Sequence, residues 1–170
     1  PSLDENKYIG FGNSITYGYI NHEPYPEKGY LPRLSALLNL NFGETEVINE
    51  GWPGELTEHG LSRIESVISK HGARYLLLME GTNDIVFNNI SMATAAYNLK
   101  EIGKKCLALG LFPAIATILP RRDAKWSIKF YRDRIYSLNQ KIRQIASDLM
   151  IPLVDQFELF NNYPAEQGGC

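Results

Sequence analysis

Lys7-Tyr8-Ile9-Gly10-Phe11-Gly12-Asn13-Ser14-Ile15-Thr16-Tyr17-Gly18 is the stretch from which the fold is read. A short apolar run passes into glycines and polar residues, and a serine follows at once. The pattern predicts a buried strand leading into a tight strand-to-helix turn. Further short apolar runs occupy residues 46–49, 75–80, 112–117 and 152–154. Longer segments of helical period lie between them. Leu56, Leu61, Ile64, Val67 and Ile68 share one face, as do Ile135, Leu138, Ile142, Ile145 and Leu149. Residues 31–40 and 91–109 read as further helices, with Ser91 as an N-cap and Gly72 and Gly110 as stops. One more helix is expected after the last strand.

Strands alternating with helices predict an α/β fold built on a parallel sheet with helices on both faces. Five strands in the order 2-1-3-4-5 are expected, with ligands beyond the carboxyl ends of the strands. At 170 residues the chain suits one domain and can bury a core without metal or disulfide support. Its composition, 44% hydrophobic and 21% charged, is that of an ordinary globular protein. A net charge of −2 with no basic block gives no footprint for nucleic acid. The apolar run at residues 111–119 is far shorter than the ~20 residues that span a bilayer. Cys106 falls in a helical pattern and reads as core; Cys170 is the last residue, and neither has metal-ligand spacing. Pro1 at the start and the lack of a signal-peptide pattern fit a mature form, an excised domain or a fragment, cytoplasmic or secreted.

Three strand-end loops carry the chemistry. In the first, Ser14 offers a hydroxyl beside glycines that let the backbone approach a substrate. The spacing is neither Gly-x-Ser-x-Gly nor a phosphate-binding glycine loop, which argues against a flavodoxin-like nucleotide binder. In the second, Asn49 to Gly54, a helix expected to start near Glu55 puts the Gly54 N–H beside a positive helix end. In the third, Gly81-Thr82-Asn83-Asp84, Asn83 supplies a neutral amide donor, while Asp84 suits turn organisation as well as chemistry. Each loop alone reads equally as a turn. Together they offer a hydroxyl and the donors of an oxyanion hole.

Residues 11–18 resemble the first block of the SGNH (GDSL) hydrolase family, residues 49–54 its second block and residues 81–84 its third. The resemblance spans nearly the whole chain. It implies a flavodoxin-like three-layer α/β/α sandwich and a serine esterase or acylhydrolase needing no metal or organic cofactor. Ser14 would be the nucleophile, and the N–H groups of Ser14 and Gly54 with the Asn83 amide would form the oxyanion hole. Asn13 and Asp84 would support them. Asn13 stands where the family has Asp, which should perturb local hydrogen bonding without removing the nucleophile. The family's Asp-x-x-His block is not found: the histidines are His22, His59 and His71. None reads as the base, and Asp155 reads as a helix cap. The chain is therefore expected to be a single domain truncated at its C-terminus and impaired on its own. The aromatics Tyr17, Tyr19, Tyr25, Tyr30 and Trp52 and the pair Arg121 and Arg122 favour a small polar ester such as an acetylated carbohydrate. The alternative is a non-catalytic carbohydrate-binding relative.

Overall fold

The computed structural model describes residues 3–20, 23–86, 90–120 and 129–162. Five strands form the main sheet: β1 (Asp4–Gly12), β2 (Glu46–Gly51), β3 (Ala73–Met79), β4 (Phe112–Ala116) and β5 (Leu153–Val154). Their spatial order is β2-β1-β3-β4-β5 and every pairing is parallel, as the alternation of elements predicts. Helices α1 (Ser14–Tyr17), α2 (Tyr30–Phe42), α3 (Thr57–His71), α4 (Met92–Ala108), α5 (Lys129–Leu149) and α6 (Gln156–Asn161) connect or follow them. A small antiparallel hairpin, Tyr19–Ile20 with Glu23–Pro24, was not expected from sequence.

One face of the sheet carries the main core. Ile9, Phe11, Leu76, Leu78 and Ile115 alternate inward along three central strands and meet Ile64, Leu99, Ile102, Leu138 and Ile142 from α3, α4 and α5. Each such side chain contributes about 1.5–3 kcal/mol when fully buried. Cys106 belongs to this core, and burial pushes its thiol up to about 12, so it packs as a small hydrophobe. The opposite face is covered by α2 near β1, where Leu31 fills the space a Gly10 side chain would need. Tyr8, Tyr75 and Phe112 form a row of stacked rings on this second face, with centroids 4.6 and 6.0 Å apart.

The predicted stops and caps are largely in place. Ser91 Oγ accepts from the Thr94 N–H at 2.9 Å, and Gly72 closes α3 at φ 61°. Helix α3 begins at Thr57 with Leu56 as its N-cap, two residues beyond Glu55, near which its start was expected.

Candidate active site

The three loops leave neighbouring strand ends. Gly12, the last residue of β1, lies in register with Gly51 of β2 and with Met79 of β3. Ser14, Gly54 and Asn83 follow these residues by two, three and four positions, so all three loops rise from one edge of the sheet. Both glycines are required by close approach. A side chain on Gly12 would meet the Met79 carbonyl and Thr16 Oγ1, and one on Gly51 would meet the backbone of Tyr17. The Trp52 N–H donates to the Gly12 carbonyl at 2.7 Å, tying the second loop to the first. Asn49 strengthens that tie: its Nδ2 donates to the Tyr17 carbonyl at 3.0 Å and its Oδ1 accepts from the Gly51 N–H at 2.9 Å.

Ser14 opens the single-turn α1 and is half-buried. Asn13 caps this turn through Oδ1, which accepts from the Ile15 N–H at 3.0 Å. Its Nδ2 is buried and has no partner. One acceptor of the amide is used and one donor is left buried without a partner.

Gly54 sits in a tight turn closed by the Glu55 N–H donating to the Trp52 carbonyl at 3.1 Å. Its φ is +80°, the left-handed region that glycine occupies freely, and Pro53 precedes it as type II turns favour. The Gly54 N–H takes no part in closing this turn.

Asn83 is half-buried, and its Nδ2 donates to the Glu55 carbonyl at 2.8 Å. That bond uses one of the two amide hydrogens and fixes the direction of the other. Asp84 is buried, and its carboxylate accepts from the Thr57 N–H at 3.1 Å and from Thr57 Oγ1 at 2.6 Å. Burial raises its pKa, and the Thr57 bonds oppose the rise. Asp84 therefore anchors the third loop to the start of α3. Arg134 holds the same loop from α5, donating to the carbonyls of Asp84 and Ile85 at 2.8 Å.

Sequence reasoning missed the charged cluster beneath the second loop. Arg63 of α3 forks onto Glu55, with Nε to Oε1 at 2.5 Å and Nη2 to Oε2 at 2.6 Å. It also donates to the Glu50 carbonyl at 2.8 Å and stacks on the Phe11 ring at 4.0 Å. The eight-residue separation of Glu55 and Arg63 carries no recognisable pattern, because one partner lies in a loop and the other on a helix.

His71 closes α3, and its Nε2 lies 2.6 Å from Glu50 Oε1 in a structural contact. His59 is exposed beside Glu58. His22, Arg121, Arg122 and Cys170 lie outside the described residues. Tyr30 packs inward and reaches Thr16 Oγ1 at 3.4 Å, whereas Tyr19, Tyr25 and Trp52 are exposed.

Asp155 caps α6, accepting from the Glu158 N–H at 3.3 Å, and is paired with Arg143 Nε at 2.6 Å. The Arg143 bond lowers its pKa, burial opposes, and the Glu158 N–H and Thr117 add to the lowering. Its stabilisation is therefore present above the unfolded value of about 3.9 and is lost as pH falls through the lower folded value. Asp155→Asn is expected to lower stability at neutral pH by about 1 kcal/mol and to flatten the acid limb of a urea-unfolding profile.

A serine hydroxyl at the end of β1 thus lies between two loops that leave the neighbouring strands and carry amide groups. A model of the GDSL-like lipase/acylhydrolase family matches residues 11–168, and the chain belongs to that family of carboxylic ester hydrolases. It is 26% identical to the lipase/acylhydrolase from Enterococcus faecalis, with a TM-score of 0.79 over 94% of this chain and 80% of that one. The fold is shared with a psychrotrophic esterase, EstA, from Pseudoalteromonas sp., at 19% identity and a TM-score of 0.73 over 95% and 83% of the two chains. An uncharacterized lipoprotein of Bacillus subtilis, YqeF, is 24% identical over 89% of this chain and 71% of its own. Among the described residues, no helix is long and apolar enough to cross a membrane.

Proposed function

We propose that the chain is a serine ester hydrolase whose Ser14 Oγ attacks the carbonyl of a small ester, an acetylated carbohydrate being the substrate class that suits the site. The attack forms a bond from Oγ to the carbonyl carbon and moves the carbonyl electrons onto oxygen. That oxyanion rests on the N–H groups of Ser14 and Gly54 and on the free amide hydrogen of Asn83. Collapse expels the alcohol and leaves an acyl group on Ser14, which water then removes by the same route. The family resemblance assigns proton acceptance to the histidine of an Asp-x-x-His block, which is not present in residues 1–170.

The observation that supports this reading is the register Gly51–Gly12–Met79, which raises all three loops from one sheet edge. The exposed rings of Tyr19, Tyr25 and Trp52 near those loops favour a flat polar substrate such as a sugar ester. The test is labelling with a serine-directed alkyl phosphonate. Modification confined to Ser14 and lost in Ser14→Ala is expected. An unlabelled Ser14 in a folded protein that still binds acetylated sugars would overturn the reading in favour of a binding protein.

Asn83→Ala is expected to lower kcat about 10²–10³-fold with little change in KM, because the donor acts on charge that appears only in the transition state. Steady-state kinetics on p-nitrophenyl acetate measures the split.

A further inference from the structure

Glu80 directly follows β3, immediately before the third loop, and is 2% exposed. Both of its carboxylate oxygens are buried with no donor. Its neighbour is a second carboxylate, that of Glu55, which is 3% exposed and already bound by Arg63. From α3 the carboxylate of Glu80 is met by the bare Cα of Gly60, where any Cβ would collide with it. The charged groups facing Glu80 are thus Glu55 in the second loop, Arg63 on α3 and Asp84 in the third loop.

Two ionised carboxylates placed side by side, one without a donor, form an arrangement that water-excluded protein does not tolerate. A single proton resolves it. With the proton on Glu80, its O–H donates to Glu55, the orphaned group gains a partner, and Glu55 keeps its charge for Arg63. Burial acts in the same direction: it raises the pKa of Glu80 well above the usual carboxylate range, Glu55 and Asp84 add to the rise, and Arg63 opposes it.

The position of the pair gives it a consequence. Glu55 follows Gly54, and its carbonyl is the acceptor that orients the Asn83 amide. We propose that Glu80 is a positioning residue, its carboxylic acid proton locking Glu55 so that the turn bearing Gly54 and the amide of Asn83 are presented together. This rests on the oxyanion reading above. It adds that the donors are aligned from below by a neutral acid that never touches substrate.

Infrared spectroscopy of the wild-type protein at pH 7 is expected to show a protonated-carboxyl stretch that Glu80→Gln removes. Folded Glu80 holds its proton above the unfolded value of about 4.3, so wild-type stability relative to Glu80→Gln should decline as pH rises from there. Glu80→Ala is expected to lower kcat on p-nitrophenyl acetate about 10²-fold with KM little changed, and Glu80→Gln, which can still donate to Glu55, to restore most of it. Gly60→Ala displaces the same carboxyl while leaving it in the chain. It should reproduce the kcat loss even where Glu80→Ala fails to fold.

Absence of the carboxyl band together with a pH-independent stability difference would overturn the protonated pair. Equal kcat losses in Glu80→Ala and Glu80→Gln, or full activity in Gly60→Ala, would overturn the positioning role. If Ser14→Ala keeps its activity, the oxyanion reading fails separately, because the infrared band and the stability slope report on Glu80 without turnover.

Discussion

In a chain that carries the Asp-x-x-His block, Ser14→Ala is expected to lower ester turnover by roughly three or more orders of magnitude while leaving the fold unchanged. The magnitude follows from covalent catalysis: without the hydroxyl no acyl intermediate forms, and only the background stabilisation by the surrounding donors persists. The fold should hold because the turn is capped by Asn13, whose Oδ1 binds the Ile15 N–H, and is closed by Gly18 at φ 102°. Neither contact involves the Ser14 side chain. Unfolding in urea should therefore shift by no more than about 0.5 kcal/mol. Hydrolysis of p-nitrophenyl acetate and the melting curve are measured on the same preparation. A folded Ser14→Ala protein that turns over ester at the wild-type rate would remove Ser14 from the mechanism.

Arg63→Ala is expected to have the largest effect on stability, about 3–5 kcal/mol. The Arg63 side chain is 13% exposed and that of Glu55 only 1%, so removing the guanidinium strands a carboxylate in the interior. It also releases Glu50 and bares the face of Phe11 on which the guanidinium stacks. The double change Arg63→Met with Glu55→Gln should cost clearly less than Arg63→Ala alone, since no buried charge remains unpaired. Urea unfolding of the three proteins decides between them. A loss under about 1 kcal/mol in Arg63→Ala would mean that water reaches the pair and screens it. Ester turnover should fall in parallel, because the same guanidinium holds the Glu50 carbonyl and thus the second loop.

Much of the fold was legible because its signals are local. The run from Lys7 to Phe11 reads as a strand from its own residues, and Gly72 and Ser91 mark helix ends through the backbone chemistry of a left-handed cap and a side-chain acceptor. Glu55, near which α3 was expected to start, lies two residues before its first residue. It is the residue after a Pro-Gly turn, drawn inward by Arg63. Local propensity could not foresee that pull, since it comes from a helix face two turns further on. Asp84 illustrates the same limit. Its type suited either turn or chemistry, and only the Thr57 bonds at 2.6 and 3.1 Å assign it to the anchoring of the loop.

The amino-acid sequence by itself determined the alternation of strands and helices, the order in which three loops are met, and the residue types each loop brings. Those features depend on neighbours a few positions apart, where backbone preference and hydrophobic period act. Tertiary structure alone decided that Gly12 stands in register between Gly51 and Met79, and that a carboxyl at position 80 lies against another at position 55. Such pairings join residues far apart in the chain. They are fixed by the close packing of a shared interior, which no local stretch of sequence contains.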